Sequence, residues 1–250
     1  MKKRKILVLG DSFTYGHGCE DRIYHYDYVK KEMVGWFFEF PKNPPSKHCW
    51  ASLLQNDLTD YEIVNISRPG NSNQHMFGQL VDYFYNFKTE IDLVIYSSSF
   101  VDRIEAASRG DPEIPDPWAL NHTNSPGIEK NEYTDAKNNY IKYLYNGAIG
   151  LHQTMSAIYG AHSYTVTNGI KFLWCPPPTL PFDIIDRFTS IKEHKMRHIH
   201  SYDFSQKKNR DFNISCHSPD KHVNETGHKL YYITCAGPRI KEVLFSKKGE

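Results

Sequence analysis

The sequence predicts an α/β protein built on a parallel sheet, and three observations predict it. Apolar runs rich in strand formers, too short for helices, recur at 6–9, 61–66, 91–96 and 170–174. Segments with apolar residues at helical spacing separate them, and strands alternating with helices imply parallel pairing through right-handed crossovers. The first run ends on Gly10, Asp11 and Ser12. That turn puts a hydroxyl just past the carboxyl end of a strand, where open α/β sheets bind their ligands.

Each element follows from its residues. After the first turn, 19–48 is rich in tyrosine and charge without a clear period, and ends on the helix-breaking stretch PKNPPS at 41–46. It reads as an insertion whose aromatics (Tyr24, Tyr26, Tyr28, Trp36, Phe37, Phe38) pack it onto the body or wall a pocket. Trp50, Leu53, Leu54 and Leu58 predict a helix over 48–59, and Met76, Leu80, Val81 and Phe84 predict another over 73–88. Between 105 and 132, four prolines (Pro112, Pro115, Pro117, Pro126) and little periodicity predict a long polar connection, read as a lid or specificity loop. Tyr140, Leu144, Leu151, Met155 and Ile158 predict a helix over 134–159. Residues 183–200 read as helical, and 212–214 as a fifth strand. A last helix is expected over 225–235, bent or restarted by Gly237 and Pro238 before 239–245. The expected organisation is one domain over residues 1–250, with insertions at about 19–48 and 104–133.

Composition narrows the function. A formal charge of +1 over 250 residues gives no reason to expect nucleic acid or a charged membrane surface as partner. The five cysteines are scattered, with no Cys-x-x-Cys spacing, which argues against a disulfide framework and a structural zinc site. The basic start runs directly into the first strand, and no stretch approaches the ~20 apolar residues of a membrane span. A reducing, cytoplasmic setting is the expectation.

A serine hydroxyl becomes a nucleophile only when a base takes its proton, and that base must itself be oriented. Near the other end of the chain, SPDKHVNETGH at 218–228 offers Asp220 and His222 on a loop before a helix. Imidazole suits the base because it titrates near neutrality. Taken singly, these residues also read as a helix cap (Asp11 or Ser12), helix-entry residues (Asp220, Asn224) and a surface histidine.

Taken together, GDSFTYG at 10–16 and the 218–228 block resemble the first and last blocks of the SGNH (GDSL) hydrolase superfamily. The resemblance implies a three-layer α/β/α sandwich with a flavodoxin-like parallel sheet of about five strands, and no cofactor. It assigns Ser12 as nucleophile, His222 as base and Asp220 as its orienting acid. The last block carries Asp220-Lys221-His222, one residue shorter than the usual Asp-x-x-His, and Val223 replaces the proline that often follows. The resemblance draws oxyanion donors from the Ser12 amide, from Gly70 in the second block and from an asparagine in the third. That third block falls at 99–102, where Ser99 and Val101 replace its glycine and asparagine and only Asp102 remains. Losing one such donor costs about 2.7–4 kcal/mol in other serine hydrolases. Asn71, Asn73, Ser98 and Ser99 are the nearest substitutes, with Asn73 or Ser98 preferred. Asp102 and Arg103 read as an ion pair, structural or substrate-positioning, and His228 as structural.

The expected function is a serine esterase acting on a small polar acyl ester, with an O-acetylated sugar as the example. An acyltransferase using the same residues, and a catalytically weak binding or assembly protein, remain open. The expected partner is a small-molecule ester, with neither nucleic acid nor membrane. His194, His198 and His200 have spacing that could clasp a metal, but Lys195 and Arg197 intervene and no glutamate follows His194, so no metal is expected.

Overall fold

The computed structural model describes residues 3–22, 26–27, 32–33, 44–101, 104–106, 118–120, 147–177, 184–186, 196–199, 216 and 222–246. Four parallel strands form the central sheet: β1 (Arg4–Leu9), β4 (Tyr61–Asn65), β5 (Ile91–Ser97) and β8 (Lys171–Cys175). Their order is β4-β1-β5-β8. The chain therefore steps from β1 to one side, then returns to continue on the other, as in flavodoxin-like sheets. The point of reversal lies between β1 and β5, where ligand crevices form in such sheets.

Side chains alternate across every strand and define two cores. Ile6, Val8, Leu93, Ile95 and Leu173 face one layer, made by α2 (Trp50–Asp57), α5 (Glu225–Tyr231) and α6 (Gly237–Phe245). Leu7, Leu9, Val94, Tyr96, Phe172 and Trp174 face the other, where α3 (Asn73–Phe87) and α4 (Gly147–Thr167) contribute Met76, Leu80, Phe84, Met155 and Ile158. This is the expected three-layer sandwich. Both faces are covered, so the strands read as continuous apolar runs.

Among the described residues four strands pair in the sheet where about five were expected, and 212–214 lies outside them. The flank of β8 is instead met by 197–199. Trp174 N donates to Arg197 O (3.0 Å), and Ile199 N donates to Trp174 O (2.8 Å). This corrects the helix expected through 183–200: a helical turn is present at 184–186, but 196–199 is extended. Pairing with the open edge of β8 outweighs the helical pattern because it satisfies backbone groups on both segments. The i,i+4 histidine spacing consequently does not describe a helix face at His198.

Two antiparallel pairs lie in the expected insertions. β2 (Tyr26–Asp27) pairs with β3 (Glu32–Met33), and β6 (Ile104–Ala106) pairs with β7 (Trp118–Leu120). The second pair replaces part of the connection read as structureless. Helix α4 runs to Thr167, beyond the expected end at 159. The last helix does restart at Gly237. A π-helical turn (Tyr232–Ala236) joins α5 to α6, and Gly237 N bonds to Tyr232 O. A side chain at Gly237 would meet that oxygen at 2.9 Å. Among the described residues no helix is long and apolar enough to cross a membrane.

Candidate active site

The loop after β1 is a single helical turn, α1 (Ser12–Tyr15). Asp11 caps it: Oδ1 accepts from Phe13 N at 3.0 Å. The same carboxylate reaches across the reversal point, its Oδ2 accepting from Ser99 Oγ at 3.2 Å. Asp11 thus ties the exits of β1 and β5 together. Gly10 permits this turn, because a Cβ there would overlap the Thr14 side chain at 2.4 Å.

The second loop is bonded onto the first. Arg68 N (3.1 Å) and Asn71 Nδ2 (2.9 Å) both donate to Gly10 O, and Asn65 Nδ2 donates to Thr14 O (3.0 Å). Gly70 lies at φ +78°, in the left-handed region that favours glycine, with nothing within 4 Å of where a Cβ would stand. Open space therefore borders the backbone at this point. Among the described residues, neither the Ser12 amide nor the Gly70 amide donates to an acceptor. Ser12 itself is only 7% exposed.

The other expected donors are turned inward. Asn71 Nδ2 is shared between Gly10 O and Gln79 Oε1 (3.0 Å). Asn73 clasps the exit of β5: its Nδ2 donates to Ser99 O (3.1 Å) and Thr154 Oγ1 (3.2 Å), and its Oδ1 accepts from Ser99 N (2.9 Å). Ser98 Oγ accepts from Trp174 Nε1 (2.9 Å) and donates to Cys175 O (3.2 Å). Val101 packs partly buried against the α3–α4 core. Asp102, Arg103 and Asp220 lie outside the described residues.

His222 is carried to this edge by the docking of α5. Phe13 of α1 stacks on His228 (centroids 5.0 Å apart, planes at 19°) and meets Tyr231 edge-on at 5.2 Å. Asn224 Oδ1 caps α5 by accepting from Gly227 N (3.1 Å), and Asn224 N donates to Cys216 O (2.8 Å). A side chain at Gly227 would strike Val223 and that same carbonyl, at 2.4 and 2.8 Å. Cys216 and Val223 therefore lie tight against the start of α5, next to α1.

There His222 stacks face to face on His17, with ring centroids 3.8 Å apart and planes at 15°. His17 is 4% exposed, and its amide donates to Ser12 O at 2.9 Å. The structure thus brings His222 to the turn that carries Ser12, with Gly70 on the adjoining loop. His17 was absent from the sequence-derived site. Nothing in the one-dimensional pattern distinguishes it, since its partner is about 200 residues away.

His228 is structural, as expected from its place in the helix. It is fully buried, and its Nδ1 accepts from Trp50 N at 3.4 Å. Burial, then the nearby His222, pushes its pKa down from 6.5 to about 3. Its ring is neutral at ordinary pH.

No protein-family model and no curated protein sequence matches the chain. Solved structures do resemble it. The psychrotrophic esterase EstA from Pseudoalteromonas sp. superposes with a TM-score of 0.52 at 9% identity, covering 96% of each chain. LAE5, an α/β hydrolase enzyme from the metagenome of Lake Arreo, Spain, gives 0.51 at 13% identity, over 92% of this chain and 91% of its own. A family two carbohydrate esterase from Clostridium thermocellum gives 0.50 at 12% identity, over 96% of this chain and 63% of its own. The chain has the fold of the SGNH (GDSL) esterases.

Proposed function

We propose that this protein is a serine esterase acting on a small polar acyl ester, such as an O-acetylated sugar. The observation that carries the reading is the stack of His222 on His17, whose amide bonds to Ser12 O, beside the Ser12 and Gly70 amides, which donate to no acceptor among the described residues. The fold shared with esterases, including a carbohydrate esterase, supports the reaction class and the example substrate.

Ser12 Oγ attacks the acyl carbon while His222 takes its proton, and Asp220 orients the imidazole. The amides of Ser12 and Gly70 receive the oxyanion. Collapse expels the alcohol, which takes the proton from His222, and a water activated by the same ring releases the acid. With Asn71, Asn73 and Ser98 bonded as they are, the Ser12 and Gly70 amides are the oxyanion donors left among the described residues, which predicts a slow enzyme.

The test is p-nitrophenyl acetate hydrolysis with fluorophosphonate labelling. Ser12→Ala is expected to abolish both, and His222→Ala to lower turnover about as far as Ser12→Ala does, on the order of 10⁶-fold for a full triad. Turnover that survives Ser12→Ala at the wild-type rate would refute the serine mechanism. The inward-turned donors also support a second reading, a weakly catalytic binding protein; an unlabelled Ser12 with measurable binding of an acetylated sugar distinguishes it. Acyl transfer is distinguished by adding a competing alcohol and recovering the new ester.

A further inference from the structure

Whether a stacked neighbour matters to a base depends on whether the neighbour is itself held still. His17 is. Gly16 before it sits at φ +85°, and its Cα lies so close to the 46–49 segment that a Cβ would meet Ser46 Cβ and Cys49 Cβ at 2.6 Å each. Ser46 N donates to Tyr15 O (2.8 Å), and Ser46 Oγ in turn donates to Asp21 Oδ1 (2.6 Å). The His17 amide is anchored on Ser12 O. The His17 backbone is therefore held on the same turn as the nucleophile, and its side chain is buried at 4% exposure.

We propose that His17 is the positioning residue for His222: its ring fixes the plane of the base so that one nitrogen stays aimed at Ser12 through both proton transfers. The proposal rests on the esterase reading. A histidine on a loop has two side-chain torsions to settle, and rotation about the second swings its nitrogens away from the nucleophile. A flat ring stacked at 3.8 Å blocks that rotation. Misplacing a catalytic group by about 1 Å can cost on the order of a hundredfold in rate.

The experiment compares wild type, His17→Leu and His17→Phe, with Ser12→Ala as control, in p-nitrophenyl acetate turnover. His17→Leu is expected to lower kcat by up to about a hundredfold with KM little changed. His17→Phe, which keeps a flat ring but cannot titrate, is expected to keep most of the wild-type kcat. In the Ser12→Ala protein, the His222 ring proton resonances are expected to lose their ring-current shift on His17→Leu and to retain one on His17→Phe. Should His17→Leu not fold by circular dichroism, His17→Asn replaces it. Ser12-dependent turnover that ignores the loss of the ring overturns this inference alone, as do equal losses in the Leu and Phe variants or unmoved His222 resonances. Turnover independent of Ser12 instead overturns the esterase reading beneath it.

Discussion

His228 carries a cost that depends on pH. Buried against Phe13, with Nδ1 accepting from Trp50 N, it resists protonation down to about pH 3, whereas its ordinary value is 6.5. Between those values the unfolded chain binds a proton there that the folded chain refuses. Stability from this residue is complete above about pH 6.5 and is lost as the pH falls toward 3, by up to about 1.4 kcal/mol per pH unit. Urea midpoints measured from pH 7 to pH 4 are expected to fall steeply in the wild type. His228→Phe, which keeps the stack on Phe13, should flatten that slope. At this same scale, side-chain type alone does not say where the hydrogens of Asn71, Asn73 and Ser98 point. An amide near a strand exit reads as a donor for substrate, but whether its hydrogens point outward depends on acceptors such as Ser99 O, Thr154 Oγ1 and Gly10 O, which come from distant parts of the chain.

Among the elements, α1 and its exit show how much structure a single turn demands. Gly16 combines a left-handed backbone with close approach to Ser46 and Cys49, so Gly16→Ala incurs both backbone strain and overpacking. A loss of roughly 2–4 kcal/mol in chemical denaturation is expected, more than from either cause alone. Turnover should fall with it, because His17 and Ser12 share this turn. The core strands were legible as short continuous apolar runs, and the helices over 48–59 and 73–88 because each buries a periodic apolar face. The stretch 196–199 was not, because its backbone pairs with β8, and the availability of that edge is invisible in the local pattern. The pairing of β6 with β7 was hidden for the same reason.

For the whole molecule, folding sequesters nearly every thiol. Cys19, Cys49, Cys175 and Cys216 are buried, and all five cysteines are free. Burial pushes the Cys19 and Cys175 thiols up to about 12 and raises Cys49 as well, leaving them as unreactive thiols. Only Cys235 is partly exposed. Titration with a thiol reagent should therefore modify one cysteine rapidly in the native protein and all five after denaturation. Rapid modification of a second thiol would mean that one of the layers opens readily.

From the sequence alone come the alternation of strands and helices, the placement of Ser12 after the first strand, and the resemblance that pairs it with His222 and Gly70. These are local properties, written in apolar periodicity, in a turn that needs glycine, and in short motifs. Only the tertiary structure decides what those residues meet. It places 197–199 at the sheet edge, turns Asn71, Asn73 and Ser98 inward, and lays His17 on His222. Each of these depends on contacts between segments far apart in the chain, and no local pattern records which hydrogen-bond acceptor, sheet edge or ring face another segment will supply.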